Sequence, residues 1–220
     1  MSDNGIAILV DFDDTAAKQN VAETLLKKFG GSHWEEYRDD FQNGSLNLRH
    51  YQEKAFNEID ATLEEMREAI GEMAWLRPGF REFNYYCNTN EIQLCIVTNG
   101  LEFYADALLR KAGLRNIPTY AVGVEGNPGD LRFSYPYATG ECWEWGNCKC
   151  KILNEYRGIG SKIIYVGDGR SDLCASQRSD FVFARSTLLE HCRKLELPFH
   201  EFEDFFDVLA ALKIGIPTFP

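Results

Sequence analysis

The feature that most constrains this chain is an apolar run, Ile6–Val10, that leads directly into a cluster of carboxylates. A continuous run of Ile, Ala, Leu and Val is typical of a strand that is buried on both faces of a parallel sheet. Carboxylates follow at Asp11 and Asp13, and alternation along the strand points both to the same side. Open α/β sheets bind their ligands at the carboxyl ends of such strands. We therefore expect Asp11 and Asp13 to lie at a functional edge of a sheet.

A second apolar run, 163–166, leads into Asp168 and then Asp172. Acidic residues after strands are also common helix caps and turn residues, so either cluster alone is ambiguous. Two clusters, far apart in the chain and both at strand ends, predict one divalent-metal site. Its candidate ligands are Asp11, Asp13, Asp168 and Asp172, and ligation by oxygen alone favours Mg²⁺.

Strand-like and helical segments alternate along most of the chain. Five apolar, β-branched runs lie at 6–11, 92–98, 118–124, 162–167 and 180–184. Helical patterns separate them, which predicts an α/β fold: a three-layer, Rossmann-like parallel sheet between helices. The interval 18–76 breaks this alternation, because its apolar residues recur at helical spacing. We therefore predict a helical-bundle cap at 18–76, inserted into a core formed by 1–17 and 77–220.

Charge and composition argue against several classes of function. The net charge of -11 disfavours a broad nucleic-acid surface or a patch that binds anionic membranes. No apolar run approaches the ~20 residues of a membrane span, and the N-terminus lacks a signal-peptide layout. Seven scattered cysteines do not form the framework of a secreted disulfide-rich protein. We expect a cytoplasmic protein that is a monomer or a homodimer.

Three of the cysteines, Cys142, Cys148 and Cys150, form a C-x5-C-x-C cluster. Closely spaced thiolates can hold Zn²⁺ with a fourth ligand from elsewhere, although the C-x2-C pairs of familiar structural sites are absent. The alternative is a set of reduced cysteines in a loop near the site. The sequence leaves both interpretations open.

The ordered motifs resemble those of the haloacid dehalogenase (HAD) superfamily of aspartate-nucleophile phosphatases. The matching residues are Asp11-x-Asp13-x-Thr15, Thr98 at a strand end, Lys149, and Gly167-Asp168-x-x-x-Asp172. Their order and spacing fit over nearly the whole chain, and four ordered motifs are more specific than any one. The resemblance implies an enzyme that hydrolyses a small-molecule phosphate monoester with Mg²⁺ as its cofactor.

The resemblance also implies a role for each matching carboxylate. Asp11 is the expected nucleophile, which would form an aspartyl-phosphate. Asp13 is the expected general acid for the leaving group and then the base that activates water. Asp168 is the expected side-chain metal ligand, and Asp172 is a ligand or orients one.

The phosphate is expected to bind beside these carboxylates. Thr98 and the backbone amides of Asn99 and Gly100 lie where a strand leads into a helix, an arrangement that binds anions. By resemblance, Lys149 begins a helix and places its charge against Asp11 and a phosphoryl oxygen.

The substrate is less constrained than the chemistry. The stretch 44–47 resembles the cap of phosphoserine phosphatases. However, Asn20 aligns where that group carries a glutamate for the substrate ammonium, and Ala55 where it carries an arginine for the carboxylate. We take both as candidate specificity residues. A carboxylate facing alanine would lose a charge-assisted pair, so phosphoserine is disfavoured.

The carboxyl-terminal half is more similar to methionine-salvage phosphatases, which hydrolyse hydroxy-keto-methylthiopentenyl phosphate. The similarity includes the stretches 179–192 and 201–205. Phosphoethanolamine and phosphocholine phosphatases share the general pattern and remain alternatives. A phosphotransferase with an acceptor other than water is a further alternative, and a non-catalytic binding module is the least favoured.

Overall fold

The computed structural model describes residues 5–215. Within them, strands β1 to β7 are Ile6–Val10, Gln93–Leu101, Thr119–Asn127, Asp130–Ser134, Lys162–Gly167, Phe181–Ala184 and Phe199–Glu201. Helices α1 to α10 are Val21–Phe29, Trp34–Asn43, Leu48–Asn57, Leu63–Met73, Phe80–Thr89, Glu102–Lys111, Lys149–Gly158, Leu173–Gln177, Ser186–Lys194 and Phe205–Ile214. Short helical turns also occur at Phe12–Ala16, Trp143–Trp145 and Arg170–Asp172.

The strands form one sheet in the order β4-β3-β2-β1-β5-β6-β7. All neighbouring strands run parallel except β3 and β4, which form an antiparallel pair. The chain winds outward from β1 through β2 to β3 and then crosses to β5 on the other side of β1. The carboxyl ends of β1, β2 and β5 therefore meet where the winding reverses, which is where α/β sheets place their ligands.

Two apolar cores cover the two faces of the sheet. Ile8 and Val10 belong to one core, which α5, α6 and α10 help to form. Ala7 and Leu9 belong to the other, together with residues of α7, α8 and α9. Successive residues of β1 thus face opposite cores, which explains why the strand is apolar throughout. The predicted three-layer α/β class with a largely parallel sheet is confirmed.

Helices α1 to α4 fill the interval between Asn20 and Ala74. Asn20 begins α1 by accepting a hydrogen bond from the amide of Glu23 at 2.8 Å. Thr62 and Glu65 form a capping box at the start of α4. Such caps satisfy the free amides of a helix's first turn, so the local sequence specifies where each helix begins.

The two connections of this helical segment run side by side. Ala17 and Leu76 form an isolated antiparallel bridge, and the amide of Lys18 donates to the carbonyl of Trp75 at 2.9 Å. The helical segment therefore leaves and rejoins the sheet at one place, close to the carboxyl end of β1.

Two observed strands lie outside the five predicted runs. Strand β4 pairs with β3 in a hairpin, and β7 has only three residues at the sheet edge. A strand of three residues is too short for alternation to reveal it. Strand β2 also continues to Leu101, beyond the predicted end at 98. Among the described residues, no helix is long and apolar enough to span a membrane.

Candidate active site

Asp11 directly follows β1, and its backbone amide donates to the carbonyl of Val166 on β5 at 2.9 Å. Its side chain is almost fully buried. The Nζ atom of Lys149, at the start of α7, donates to Oδ1 of Asp11 and to Oδ1 of Asp172, each at 2.6 Å. One buried ammonium thus joins carboxylates that follow two adjacent strands.

Both carboxylate oxygens of Asp172 have partners in the protein. Besides Lys149, Oδ1 accepts a hydrogen bond from the hydroxyl of Tyr165. Oδ2 accepts from the backbone amides of Asp168 at 3.0 Å and Gly169 at 2.9 Å. The arrangement makes Asp172 an orienting residue, because it fixes Lys149 and the turn after β5.

Asp11, Asp168 and Asp172 each bring one oxygen within 4.8 Å of the others. The hydroxyl of Thr15 donates to Oδ1 of Asp168 at 2.9 Å and holds it toward this group. Burial, followed by the charge of Asp172, raises the pKa of Asp168 to about 7, and the same two causes raise the pKa of Asp11. Clustered carboxylates whose ionised forms are disfavoured fit a hard divalent cation, which would relieve their repulsion.

Asp13 is not a member of the carboxylate group found among residues 5–215, and its role as a metal ligand stays a prediction. The chain forms a helical turn at Phe12–Ala16 and no longer follows strand alternation there. Oδ1 of Asp13 accepts from the amide of Val21, and Oδ2 accepts from the hydroxyl of Tyr104, both at 2.7 Å. Burial raises the pKa of Asp13 to about 6, although these hydrogen bonds act in the opposite direction.

Two arginines hold the turn that carries Asp13. Nε of Arg77 donates to the carbonyl of Thr15 at 2.8 Å, and Nη1 of Arg185 donates to the carbonyl of Asp14 at 2.6 Å. Asp14 has a φ of 57°, a left-handed conformation that aspartate tolerates. The local sequence around either arginine does not indicate this role, because the contacts span 62 and 171 positions.

Three of the four predicted phosphate-binding residues, Thr98, Asn99 and Gly100, line the same cavity as Asp11 and Asp13, whereas Lys149 is not part of the cavity wall. Thr98 and Asn99 are buried, and the hydroxyl of Thr98 accepts from the amide of Gly100 at 2.9 Å. That amide therefore already has a partner within the protein. A Cβ atom at position 100 would overlap the Tyr104 hydroxyl and lie 2.6 Å from Oδ2 of Asp13, so only glycine fits there.

The opposite wall of the cavity comes largely from α2, α3 and the turn Trp143–Trp145. Phe41 stacks on Tyr51 with ring centroids 5.6 Å apart, and Trp145 meets Phe41 edge-on at 6.4 Å. Glu23 and Arg38 also line the cavity. We call Phe41, Tyr51 and Trp145 the aromatic wall.

The two predicted specificity positions differ in their placement. Asn20 lines the cavity, but its amide oxygen is occupied in capping α1. Ala55 is fully buried in the apolar core and is not part of the cavity wall. The prediction for Ala55 is therefore corrected. Gln52, one turn earlier on α3, is in the wall, because packing sets the rotation of the helix.

Gln52 joins the helical segment to the sheet. Its side chain is 5% exposed, and its Nε2 donates to the backbone carbonyl of Asn99 at 3.0 Å. Oε1 of Gln52 and Oδ1 of Asn99 are buried and have no hydrogen-bond partner among the described residues. A buried acceptor without a partner costs roughly 1–3 kcal/mol. Gln52 is not among the residues predicted for the site, since nothing in its local sequence pattern indicates this contact.

The cysteine cluster lies in a separate surface cavity, where Cys174 joins Cys142, Cys148 and Cys150. The Sγ atoms of Cys150 and Cys174 are 3.1 Å apart. Within residues 5–215, however, no three of these sulfurs lie within 4.8 Å of one another. The thiols form pairs without converging on one point, so the geometry does not support the zinc interpretation.

Comparison with known proteins gives a consistent result. The model of the "Putative Phosphatase" family matches residues 6–207. The chain is 28% identical over 211 residues to a 2-hydroxy-3-keto-5-methylthiopentenyl-1-phosphate phosphatase of Brevibacillus brevis, covering 94% of this chain and 95% of the relative. It is 29% identical to the protein of the same name from Geobacillus kaustophilus, with 94% and 96% covered.

Among solved structures, a substrate-bound phosphoserine phosphatase complex is similar, with a TM-score of 0.68 and 18% identity. The match covers 95% of this chain and 99% of that structure. At this identity the similarity concerns the fold, which is the same three-layer arrangement described above.

Proposed function

Because the chain belongs to the putative phosphatase family within the HAD superfamily and is a phosphatase, we propose that it hydrolyses a small phosphate monoester through an aspartyl-phosphate on Asp11. One observation carries this proposal. The buried carboxylate of Asp11 is held by Lys149 at the end of β1, beside Asp168 and at the wall of the cavity. A carboxylate held in a fixed orientation at the wall of a cavity is positioned to act as a nucleophile.

In the first step, an oxygen of Asp11 attacks the phosphorus and the ester oxygen leaves. Lys149 keeps Asp11 oriented and lowers the repulsion between the nucleophile and the phosphate oxygens. Thr98 and Asn99 border the cavity where the phosphate would sit. Water then cleaves the aspartyl-phosphate and releases phosphate.

Asp13 is the proposed proton donor to the leaving oxygen and then the base that activates water. Its pKa of about 6 lets it hold a proton in mildly acidic solution and release it near neutrality. Tyr104 and the amide of Val21 fix the two oxygens of this carboxyl group. A carboxyl group with a fixed orientation and a pKa of about 6 can give a proton in the first step and take one from water in the second.

The carboxylates of Asp11 and Asp168 are the proposed ligands of a hard divalent cation, Mg²⁺, with Asp172 orienting the group. When bound, the cation would neutralise charge on the phosphate and on the carboxylates. We also propose that residues 18–76 form a cap over a core of residues 1–17 and 77–220. The termini 1–4 and 216–220 of that core lie outside the described residues.

For the substrate, we propose the methylthio-ketose phosphate of methionine salvage. Two observations support this choice: the names of the curated relatives and the aromatic wall. Thioether sulfur packs favourably against aromatic rings. The methylthio end of the substrate would lie against Phe41, Tyr51 and Trp145, while its phosphate reaches Asp11.

A cationic leaving group is the second candidate. Glu23 lines the cavity beside the aromatic wall, and carboxylates with aromatic rings recognise ammonium groups. Phosphoethanolamine and phosphocholine would use these contacts.

The test is phosphate release from a panel of esters with Mg²⁺ or with excess chelator. The panel contains the methylthio-ketose phosphate, phosphoethanolamine, phosphocholine and phosphoserine. We expect Mg²⁺-dependent release with the highest kcat/KM for the methylthio-ketose phosphate. Full activity under exhaustive chelation would refute the cation assignment. Product analysis with added alcohols distinguishes hydrolysis from transfer to another acceptor.

A further inference from the structure

The cavity wall contains a polar group that the proposed reaction does not use. Gln52 lies in α3, is 5% exposed, and lines the same cavity as the aromatic wall and the carboxylates. Its Nε2 donates to the carbonyl of Asn99, which fixes the orientation of the amide. Oε1 must therefore act as the acceptor, and it has no partner among the described residues.

A second acceptor belongs to Asn99, the residue whose backbone carbonyl accepts the hydrogen bond from Gln52. Oδ1 of Asn99 is also buried and without a partner within residues 5–215. Asn99 borders the cavity next to Thr98. Two acceptors at this contact between α3 and β2 create a local need for hydrogen-bond donors, because buried polar groups are nearly always paired.

We propose that Gln52 is a specificity residue whose side-chain carbonyl accepts a hydrogen bond from a donor on the leaving group of the substrate. This inference rests on the proposed phosphatase function and names the class of ester: one that carries a hydroxyl or an ammonium close to the phosphate. A site built to bond a substrate donor rejects an analogue that lacks it, because the protein acceptor is then left buried and unpaired.

The Gln52–Asn99 contact also means that the substrate donor would bind where the helical segment meets the sheet. The hydrogen bond from Gln52 joins α3 to the end of β2, where Asn99 and the phosphate-binding residues lie. A donor bound at Gln52 would thus be held at a fixed distance from the phosphate. Neighbouring positions are unsuited to the role, since Ala55 is in the core and the amide oxygen of Asn20 caps α1.

The test compares esters of similar size that differ in their donors. Glycerol 1-phosphate has hydroxyls that n-propyl phosphate lacks, and phosphoethanolamine has an ammonium whose hydrogens phosphocholine replaces with methyls. For the wild type, we expect a glycerol-to-propyl ratio of kcat/KM of roughly tenfold or more. A ratio near 1 in the wild type would overturn the inference, whatever the variants do.

Gln52→Met keeps an unbranched side chain of similar length and removes the acceptor, so the ratio should fall toward 1. The matched control is Gln93→Met at the exposed start of β2, outside the cavity wall, and this variant should leave the ratio unchanged. Gln52→Glu retains an acceptor and adds charge. It should raise the ethanolamine-to-choline ratio if the donor is an ammonium, and leave the glycerol-to-propyl ratio high if it is a hydroxyl.

The outcomes separate this inference from the function on which it depends. Phosphate release from the esters, with a glycerol-to-propyl ratio that Gln52→Met does not change, would overturn the inference and keep the phosphatase assignment. No phosphate release from any ester would overturn both. Circular dichroism and thermal unfolding of each variant establish whether a change in the kcat/KM ratio occurs in a folded protein.

Discussion

The carboxylates on the core side of the cavity differ from the polar groups on the side of the helical segment in how completely they are paired. On the core side, Lys149 joins Asp11 and Asp172 at 2.6 Å each, and Asp172 has further donors. On the side of the helical segment, aromatic rings supply much of the surface, and Gln52 carries an acceptor without a partner in the described part of the chain. Paired groups hold the reacting atoms in place before substrate arrives, whereas unpaired ones leave contacts for the substrate to make. We therefore expect substitutions on the two sides to have different effects.

The largest effect should come from Asp11→Asn. We expect kcat to fall on the order of 10³-fold or more, because the amide is a poor nucleophile. The free energy of unfolding at pH 7 should not decrease, since burial and Asp172 disfavour ionised Asp11. Phosphate release and chemical denaturation measure the two quantities. The control is Asp39→Asn on the exposed face of α2, and near-normal turnover by Asp11→Asn would exclude Asp11 as the nucleophile.

Lys149→Met tests how much the buried ion pairs on the core side contribute to the free energy of unfolding. The variant leaves Asp11 and Asp172 buried without their cation, so the free energy of unfolding should drop by about 3–5 kcal/mol. Lys151→Met is the matched control two positions away, and it should change stability by no more than about 0.5 kcal/mol. Urea denaturation of both variants with Mg²⁺ absent gives the comparison. Equal losses would mean that the ion pair contributes little.

Asp13→Asn should make the protein more stable at pH 8. The pKa of Asp13 is about 6 in the folded protein against an ordinary 3.8, so the folded state holds the proton more tightly. Stability contributed by this group is thus present below pH 4 and lost as the pH rises to 6. The gain at pH 8 should reach at most about 3 kcal/mol and vanish near pH 4. A gain that is independent of pH would contradict the assignment.

The pH dependence of catalysis should show the same group acting as an acid. For an alkyl phosphate, kcat/KM should fall roughly tenfold per pH unit above the pKa of Asp13, about 6, because the leaving oxygen needs its proton. For p-nitrophenyl phosphate, whose leaving group departs without a proton, the decrease should be much smaller. Parallel profiles for the two esters would argue against Asp13 as the proton donor.

The smallest effect should come from the aromatic wall. Tyr51→Leu removes the ring that stacks on Phe41, and we expect KM for the methylthio-ketose phosphate to rise about threefold to tenfold. The chemical step should be little affected, so kcat should stay within about twofold. Tyr85→Leu, on the exposed surface of α5, is the control. A loss confined to kcat would instead place Tyr51 in the reaction itself.

The fold class could be predicted from the sequence because its signals are local. An apolar strand must be covered on both faces, and alternating strand and helix patterns leave few arrangements besides a layered parallel sheet. Helix starts are local as well, as the capping residues Asn20 and Thr62 illustrate. Strand-end carboxylates indicated the edge where Asp11 and Asp168 lie, since the carboxyl ends of neighbouring parallel strands share one side of a sheet.

Only the tertiary structure decided which side chains meet at that edge. Lys149 contacts Asp11 across 138 positions, and Arg185 reaches the carbonyl of Asp14 across 171. The turn after β1 separates Asp13 from the carboxylate group, and helix packing puts Gln52 in the wall where the sequence pointed to Ala55. Strand and helix periodicity specify a side chain's face only within its own element. The rotation of one element against another is set by packing, which depends on contacts between residues far apart in the sequence. A local sequence pattern does not contain this information.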